Sequence, residues 1–130
     1  RTVLFSTEAS RFYGGDGLKE NWVSLAGGDL TFLQPPYGKY IKPWIPKANS
    51  EAQAGAEIIA LFPGRFDTKW FNAMRPARIC WYQKRIPYVD HTKPDQRDTA
   101  KFPSVFVYWG PRFVLFEKIF GAYGAVTGWR

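Results

Sequence analysis

Leu33-Gln34-Pro35-Pro36-Tyr37-Gly38 is the stretch of this sequence best equipped for chemistry. A residue that precedes proline is pushed out of the helical region, so Gln34 and Pro35 are both held extended. Proline carries no N–H, and the carbonyl of Pro35 need not enter a sheet ladder. The result is a rigid exit that presents the Gln34 amide oxygen and the Pro35 carbonyl as acceptors, with the Tyr37 ring close by. Two acceptors suit the two hydrogens of an exocyclic amino group on a flat ligand, on which Tyr37 would stack. The same residues also read as a proline-rich turn with a core tyrosine, and spacing alone leaves both readings open.

Other chemistries have less to work with. His91 and Cys80 are the one histidine and the one cysteine, which argues against a disulfide framework or a His/Cys metal cage. A Ser-His-Asp triad would have to use His91, which sits in a polar, proline-containing loop. Cys80 lies in an apolar run and reads as packing. Charge is more informative: 18 Lys+Arg against 11 Asp+Glu leave +7 and an isoelectric point near 9.7. That balance favours a polyanionic partner, nucleic acid first and an anionic membrane surface second. Lys39, Lys42 and Lys47 follow the proline segment, Arg65 and Lys69 flank a second strand exit, and Lys84 and Arg85 open a long loop. Lys93, Arg97 and Lys101 lie within that loop.

The elements that must position these groups follow from periodicity and punctuation. The chain has 130 residues, 45% apolar and 18% aromatic, which makes one folded domain spanning 1–130. It has no run of about 18 apolar residues and no opening segment of signal-peptide type. Residues 6–10 suit a short helix. Residues 30–33 read as a buried strand that stops at the prolines, and a helix begins near Pro46 and ends at Gly55. Residues 57–62 form an apolar run of the kind covered on both faces of a sheet. Asp67 is placed to cap a helix over 68–74 with Trp70, Phe71 and Met74 turned inward. Residues 78–82 and 104–109 read as strands, 84–102 as a long excursion or hairpin, 113–120 as a helix closed by Gly121, and 122–127 as a last strand.

Alternating strands and helices predict an α/β layer structure with a mainly parallel sheet. Ligands of such sheets sit at the carboxyl ends of the strands. Gln34-Pro35-Pro36-Tyr37 and Pro63-Gly64-Arg65 both fall there.

A longer series of residues accompanies the proline segment. It runs through Ala9-Ser10-Arg11-Phe12-Tyr13, Asp16-Gly17-Leu18 with Trp22, and Phe32-Leu33-Gln34-Pro35-Pro36-Tyr37-Gly38. It continues with Pro63-Gly64-Arg65-Phe66-Asp67-Thr68-Lys69-Trp70-Phe71, Lys84-Arg85-Ile86-Pro87-Tyr88, Phe102-Pro103-Ser104-Val105 and Phe120-Gly121-Ala122-Tyr123-Gly124. The short segment resembles the Asp/Asn-Pro-Pro-Tyr motif of amino-group methyltransferases that use S-adenosylmethionine. The whole series resembles the phage-type DNA N-6-adenine methyltransferase (Dam) family in order and spacing, over nearly all of the chain.

The resemblance implies part of a three-layer, Rossmann-like methyltransferase fold and S-adenosylmethionine-dependent methylation of adenine N6 in DNA. It casts Gln34, Pro35, Pro36 and Tyr37 as catalytic, and it makes Lys39, Arg65, Lys69, Lys84, Arg85 and Arg97 the candidates for DNA contact. It further implies a phage or prophage protein acting in the cytoplasm of a bacterial host, with no metal and no membrane. Two departures stand out. Gln34 occupies the position of Asp or Asn, one methylene longer. Family members also carry, ahead of the part matching Arg1, a stretch that helps hold the cofactor. The resemblance therefore leaves two expectations open, a trimmed fragment with a preceding segment or a short form without cofactor binding, and it names no cofactor-binding residues. The alternatives are a methyltransferase-like module that binds nucleic acid without chemistry, and a basic α/β domain that binds a nucleotide or protein.

Overall fold

The computed structural model describes residues 17–35, 38–89, 97–99 and 102–129. The helix expected over 6–10 lies outside them. After a 3-10 turn at Gly17–Lys19, helix α1 covers Trp22–Ala26. Sequence patterning does not predict α1. The Asn21 side chain caps its first turn by accepting from the Ser24 N–H, and Gly27 ends it at φ 59°.

Strand β1 is Thr31–Leu33. A second 3-10 turn at Gly38–Tyr40 leads to helix α2, Trp44–Gln53. It starts two residues before Pro46, whose missing N–H costs nothing in a first turn. Strand β2 is Ile58–Pro63, α3 is Lys69–Asn72, β3 is Arg78–Tyr82, β4 is Pro87–Val89 and β5 is Arg97–Thr99. Strand β6 is Ser104–Trp109, α4 is Phe113–Phe120 and β7 is Gly124–Gly128.

Five strands form one sheet in the order β1-β2-β6-β3-β7, and β4 and β5 form a separate antiparallel pair. The expectation of a mainly parallel sheet is wrong. Only β1 and β2 pair in parallel; β2–β6, β3–β6 and β3–β7 are all antiparallel. The reason is interleaving. Helices do join strands of like direction, as the alternation predicts, since β2 and β3 both run against β6 while β6 and β7 both run against β3. But β6 returns from the β4–β5 excursion into the gap between β2 and β3, so each of those two crossovers skips a strand. A right-handed crossover then places α3 and α4 on opposite faces, because β6 and β7 run the other way.

That is the layering observed. One face of the sheet buries Ile58, Ala60, Phe62, Val105 and Val107 against Trp22, Trp44, Ile45 and Phe71 from α1, α2 and α3. The other face packs Cys80 and Tyr108 under Phe116 of α4. Phe116 lies 5.1 Å from the Tyr108 ring and 4.4 Å from that of Phe120. Phe113, expected on the same inward stripe, stays 38% exposed, with the Arg78 guanidinium 4.4 Å above its ring.

Candidate functional site

Because β1, β2 and β3 run in one direction, their carboxyl ends meet at a single edge, together with the amino ends of β6 and β7. The exits predicted to carry function therefore converge there.

At the first exit, Leu33 is fully buried opposite Ala60. Gln34 follows, half-buried, and Pro35 is buried. Pro36 and Tyr37 lie outside the described residues, so the stacking role expected of Tyr37 is a matter of sequence alone. Gly38 resumes the chain at φ 77°, a conformation glycine adopts without penalty. Lys39 is exposed, its Nζ 5.1 Å from the Tyr40 ring centre.

The second exit is a tightly bonded turn. The Gly64 N–H donates to the Pro103 carbonyl at 2.8 Å, tying the end of β2 to the start of β6. The Arg65 N–H donates to the Pro63 carbonyl at 2.8 Å and the Phe66 N–H to the Gly64 carbonyl at 3.0 Å. Asn72 Nδ2 donates to the carbonyls of both Phe66 and Thr68 at 2.8 Å. Arg65 and Asp67 form an ion pair at 3.6 Å with their side chains 58% and 67% exposed. Asp67 is not the helix cap expected of it. Thr68 caps α3, its hydroxyl accepting from the Phe71 N–H at 3.3 Å while donating to the Arg65 carbonyl at 2.7 Å. Lys69, at the start of α3, is exposed.

From the third exit, the Gln83 N–H donates to the Tyr123 carbonyl at 3.1 Å. Lys84 and Arg85 follow, both exposed, at the foot of the β4–β5 pair. Arg97 registers with Val89 across that pair. Gly124 permits the closure of this corner, since a Cβ there would stand 1.9 Å from the Trp81 carbonyl oxygen. Adjacent strands lie about 4.8 Å apart, so the β1 and β2 exits are neighbours and the β3 exit is two spacings further on.

The structure thus brings Gln34, Pro35, Arg65, Lys84 and Arg85 to one edge. Lys47 is excluded from it. Half-buried in α2, it donates to the Glu20 carbonyl, pairs with Glu51 at 3.6 Å and sits 5.7 Å from the Trp22 ring centre. Cys80 is packing, as expected: burial pushes its thiol up, and its Sγ lies 3.5 Å from the Phe120 carbonyl. Among the described residues no group of three or more His, Cys, Asp and Glu side chains could hold a metal ion, and no helix is long and apolar enough to cross a membrane.

Two residues of the edge escape a reading by pattern. Phe66 is 68% exposed in the middle of the β2 turn, and in a Gly-Arg-Phe-Asp turn no periodicity says which way a ring will point. Ser104 is 1% exposed at the start of β6, and its hydroxyl has no hydrogen-bond partner. Only the crossed strand order could place it there.

A family model described as DNA N-6-adenine-methyltransferase (Dam) matches residues 6–120. No curated protein and no solved structure matches the chain.

Proposed function

The chain belongs to the DNA N-6-adenine-methyltransferase family, and from that membership we propose that it methylates adenine N6 in DNA at the carboxyl edge of β1, β2 and β3. The observation that carries the reading is the proline-locked β1 exit, with Gln34 half-buried and Pro35 buried, beside exposed cations on the two other exits.

An adenine amino nitrogen is a weak nucleophile because its lone pair is delocalised into the ring. Two fixed acceptors, the Gln34 amide oxygen and the Pro35 carbonyl, favour the pyramidal amine and stabilise the positive charge it develops. The mechanism asks for no strong base, in keeping with a single histidine in the chain. The adenine must leave the duplex to reach these acceptors, and Tyr37 is the ring placed in sequence to stack on it. Arg65, Lys69, Lys84, Arg85, Lys39 and Arg97 supply the cations for backbone phosphates. A bacterial cytoplasm is where such a protein would meet its DNA.

S-adenosylmethionine is the methyl donor that membership implies. A carboxylate is the usual partner of a cofactor's ribose hydroxyls, and Asp67, the acid in the β2 turn, is already paired with Arg65. The described residues do not make up a cofactor cradle.

The test is methyl transfer from labelled S-adenosylmethionine to adenine-containing duplex, with Gln34→Asn beside the native chain. Gln34 reaches about 1.5 Å further than Asn, and an error of about 1 Å at a reacting centre costs roughly a hundredfold. Gln34→Asn should therefore raise the rate by about tenfold or more, and Gln34→Ala should remove it. If neither the native chain nor Gln34→Asn transfers a methyl group while salt-sensitive DNA binding persists, the second reading holds: a module that grips nucleic acid without chemistry. Gln34 itself, in the position of Asp or Asn, is the observation that favours that reading.

A further inference from the structure

Resting on the reading of this edge as the DNA-facing side, we propose that Phe66 is a stacking wedge, the ring that enters the duplex and fills the gap left when a base turns out.

A lone exposed apolar side chain is ordinary and needs no explanation. Three features set Phe66 apart. First, at 68% it is the most exposed large apolar side chain among the described residues. Second, its backbone is fixed on both sides, the N–H donating to the Gly64 carbonyl at 3.0 Å and the carbonyl accepting from Asn72 Nδ2 at 2.8 Å. Asn72 in turn belongs to α3, whose Phe71 is buried in the core. A ring on so firm a base loses little backbone freedom on binding, which is the condition under which an exposed aromatic contributes most to recognition. Third, it stands among exposed charged side chains, Arg65, Asp67 and Lys69, and its turn neighbours the acceptor exit. Arg65 stands exposed and paired with Asp67 at 3.6 Å, Lys69 stands exposed just beyond, and the β1 exit with Gln34 and Pro35 belongs to the strand next to β2. Apolar side chains flanked by cations are the type that enters a base stack.

The competing exposed apolar surface is the outer side of α4, with Val114 at 67%, Leu115 at 45% and Ile119 at 52%. It carries an exposed lysine, Lys118, beside Ile119 but lacks the bonded turn, and nothing shows what would cover it.

The experiment needs neither a recognition sequence nor methyl transfer. Fluorescence anisotropy compares binding of the native chain to a 24-base-pair duplex with one central abasic position and to its intact counterpart. The abasic duplex offers the gap ready-made. Stacking on the scale of a single base predicts a preference of about 5- to 150-fold for it. Phe66→Ala should abolish that preference and leave the salt dependence of binding unchanged, since the cations remain. Phe66→Trp should retain it, and Arg65→Ala should keep the preference while lowering the salt slope by about one. Thermal unfolding of Phe66→Ala should match that of the native chain, because the ring is outside the core. An equal affinity of the native chain for both duplexes, or a preference that survives Phe66→Ala, overturns the proposal. Methyl transfer by the native chain together with either result would leave the enzymatic reading standing and remove only the wedge. A preference lost in Phe66→Ala without any methyl transfer would do the reverse.

Discussion

The two ends of the sheet treat their polar groups in opposite ways. At the end away from the proposed site, Glu57, Tyr108 and Arg112 close on one another. The Tyr108 hydroxyl donates to Glu57 and accepts from the Arg112 N–H at 2.9 Å, while the Arg112 guanidinium reaches both carboxylate oxygens of Glu57. The clamp joins the start of β2, the end of β6 and the first turn of α4, and its partners are all internal. At the carboxyl edge the backbone is just as firmly bonded, through Gly64, Phe66 and Asn72. There the side chains of Phe66, Lys69, Lys84 and Arg85 go to solvent instead, and Arg65 pairs only with its exposed neighbour Asp67. A polar cluster satisfied from within stabilises the fold. Under the proposed function, rigid backbone that carries exposed side chains is preorganised to meet DNA.

The comparison breaks if changes at the closed end alter DNA binding, or if changes at the open edge unfold the protein. The largest effect should come from Gly110→Ala. Its φ of 157° brings a new Cβ to 2.4 Å from the Tyr108 hydroxyl and 2.9 Å from Glu57 Cγ. The clamp would be driven apart, with a loss of about 3 kcal/mol in denaturant unfolding and duplex affinity per folded molecule unchanged. Tyr108→Phe should cost less, about 1–2 kcal/mol, because it leaves the shape of the core intact and removes one buried hydroxyl's bonds. A fall in duplex affinity beyond the fraction unfolded, in either variant, would show the two ends to be coupled.

Much of the fold was legible in the sequence, and the parts that were not share a cause. The helix expected over 113–120 is α4 to the residue, because Gly121 and the aromatic spacing mark it locally. The strand exits at Pro35 and Pro63 were found because proline ends strands by its own chemistry. What failed was the choice between neighbours: parallel or antiparallel, Asp67 or Thr68, surface or core for Lys47. Asp67 and Thr68 are both good capping residues, and only the backbone geometry made the Thr68 hydroxyl the one that meets the Phe71 N–H. Lys47 stands four residues before Glu51, a pairing visible in sequence. Its burial against Trp22, however, depended on α1, whose five residues are too few for periodicity to reveal. The shared edge of the Pro35 and Pro63 exits was legible, since β1 and β2 run in one direction. Phe66 and Ser104 were not, because exposure at a turn and register across strands are tertiary facts.

The closed end should also announce itself through pH. The Arg112 hydrogen bonds hold the Glu57 carboxyl below its ordinary value of 4.5, against the opposing effect of burial. Burial first, and then the Glu57 bond, push the Tyr108 hydroxyl up to about 12. For a depressed carboxyl the stabilisation is present above the unfolded value and is lost as pH falls through the lower folded value. For a raised phenol it is complete below the unfolded value of 10 and is lost as pH rises toward about 12. The unfolding midpoint should therefore drop below about pH 4.5 and again above about pH 10. In Tyr108→Phe the alkaline drop should shrink relative to the native chain. An alkaline limb identical in the two proteins would remove Tyr108 from the account.

The smallest effect should come from the open edge, and it sharpens the contrast most directly. Arg65 and Asp67 are both largely exposed and 3.6 Å apart, a geometry that contributes little to stability, about 0–1 kcal/mol. Asp67 does not cap α3; Thr68 does. Asp67→Asn therefore takes nothing from the fold that the turn's own hydrogen bonds do not already supply, and unfolding should shift by less than about 0.5 kcal/mol. What it does take away is a negative charge beside Arg65, in the position a DNA phosphate would occupy. Duplex affinity at low salt should rise by about two- to fivefold, on the scale of one exposed charge contact. The gain should fade as ionic strength passes the point where the screening length shrinks to about 8 Å. Titrations of the native chain and Asp67→Asn against one duplex at two salt concentrations, with unfolding curves of both, decide it. A stability loss with unchanged affinity would make the Arg65–Asp67 pair a structural contact like the clamp at the other end, and the two ends of the sheet would then differ only in exposure.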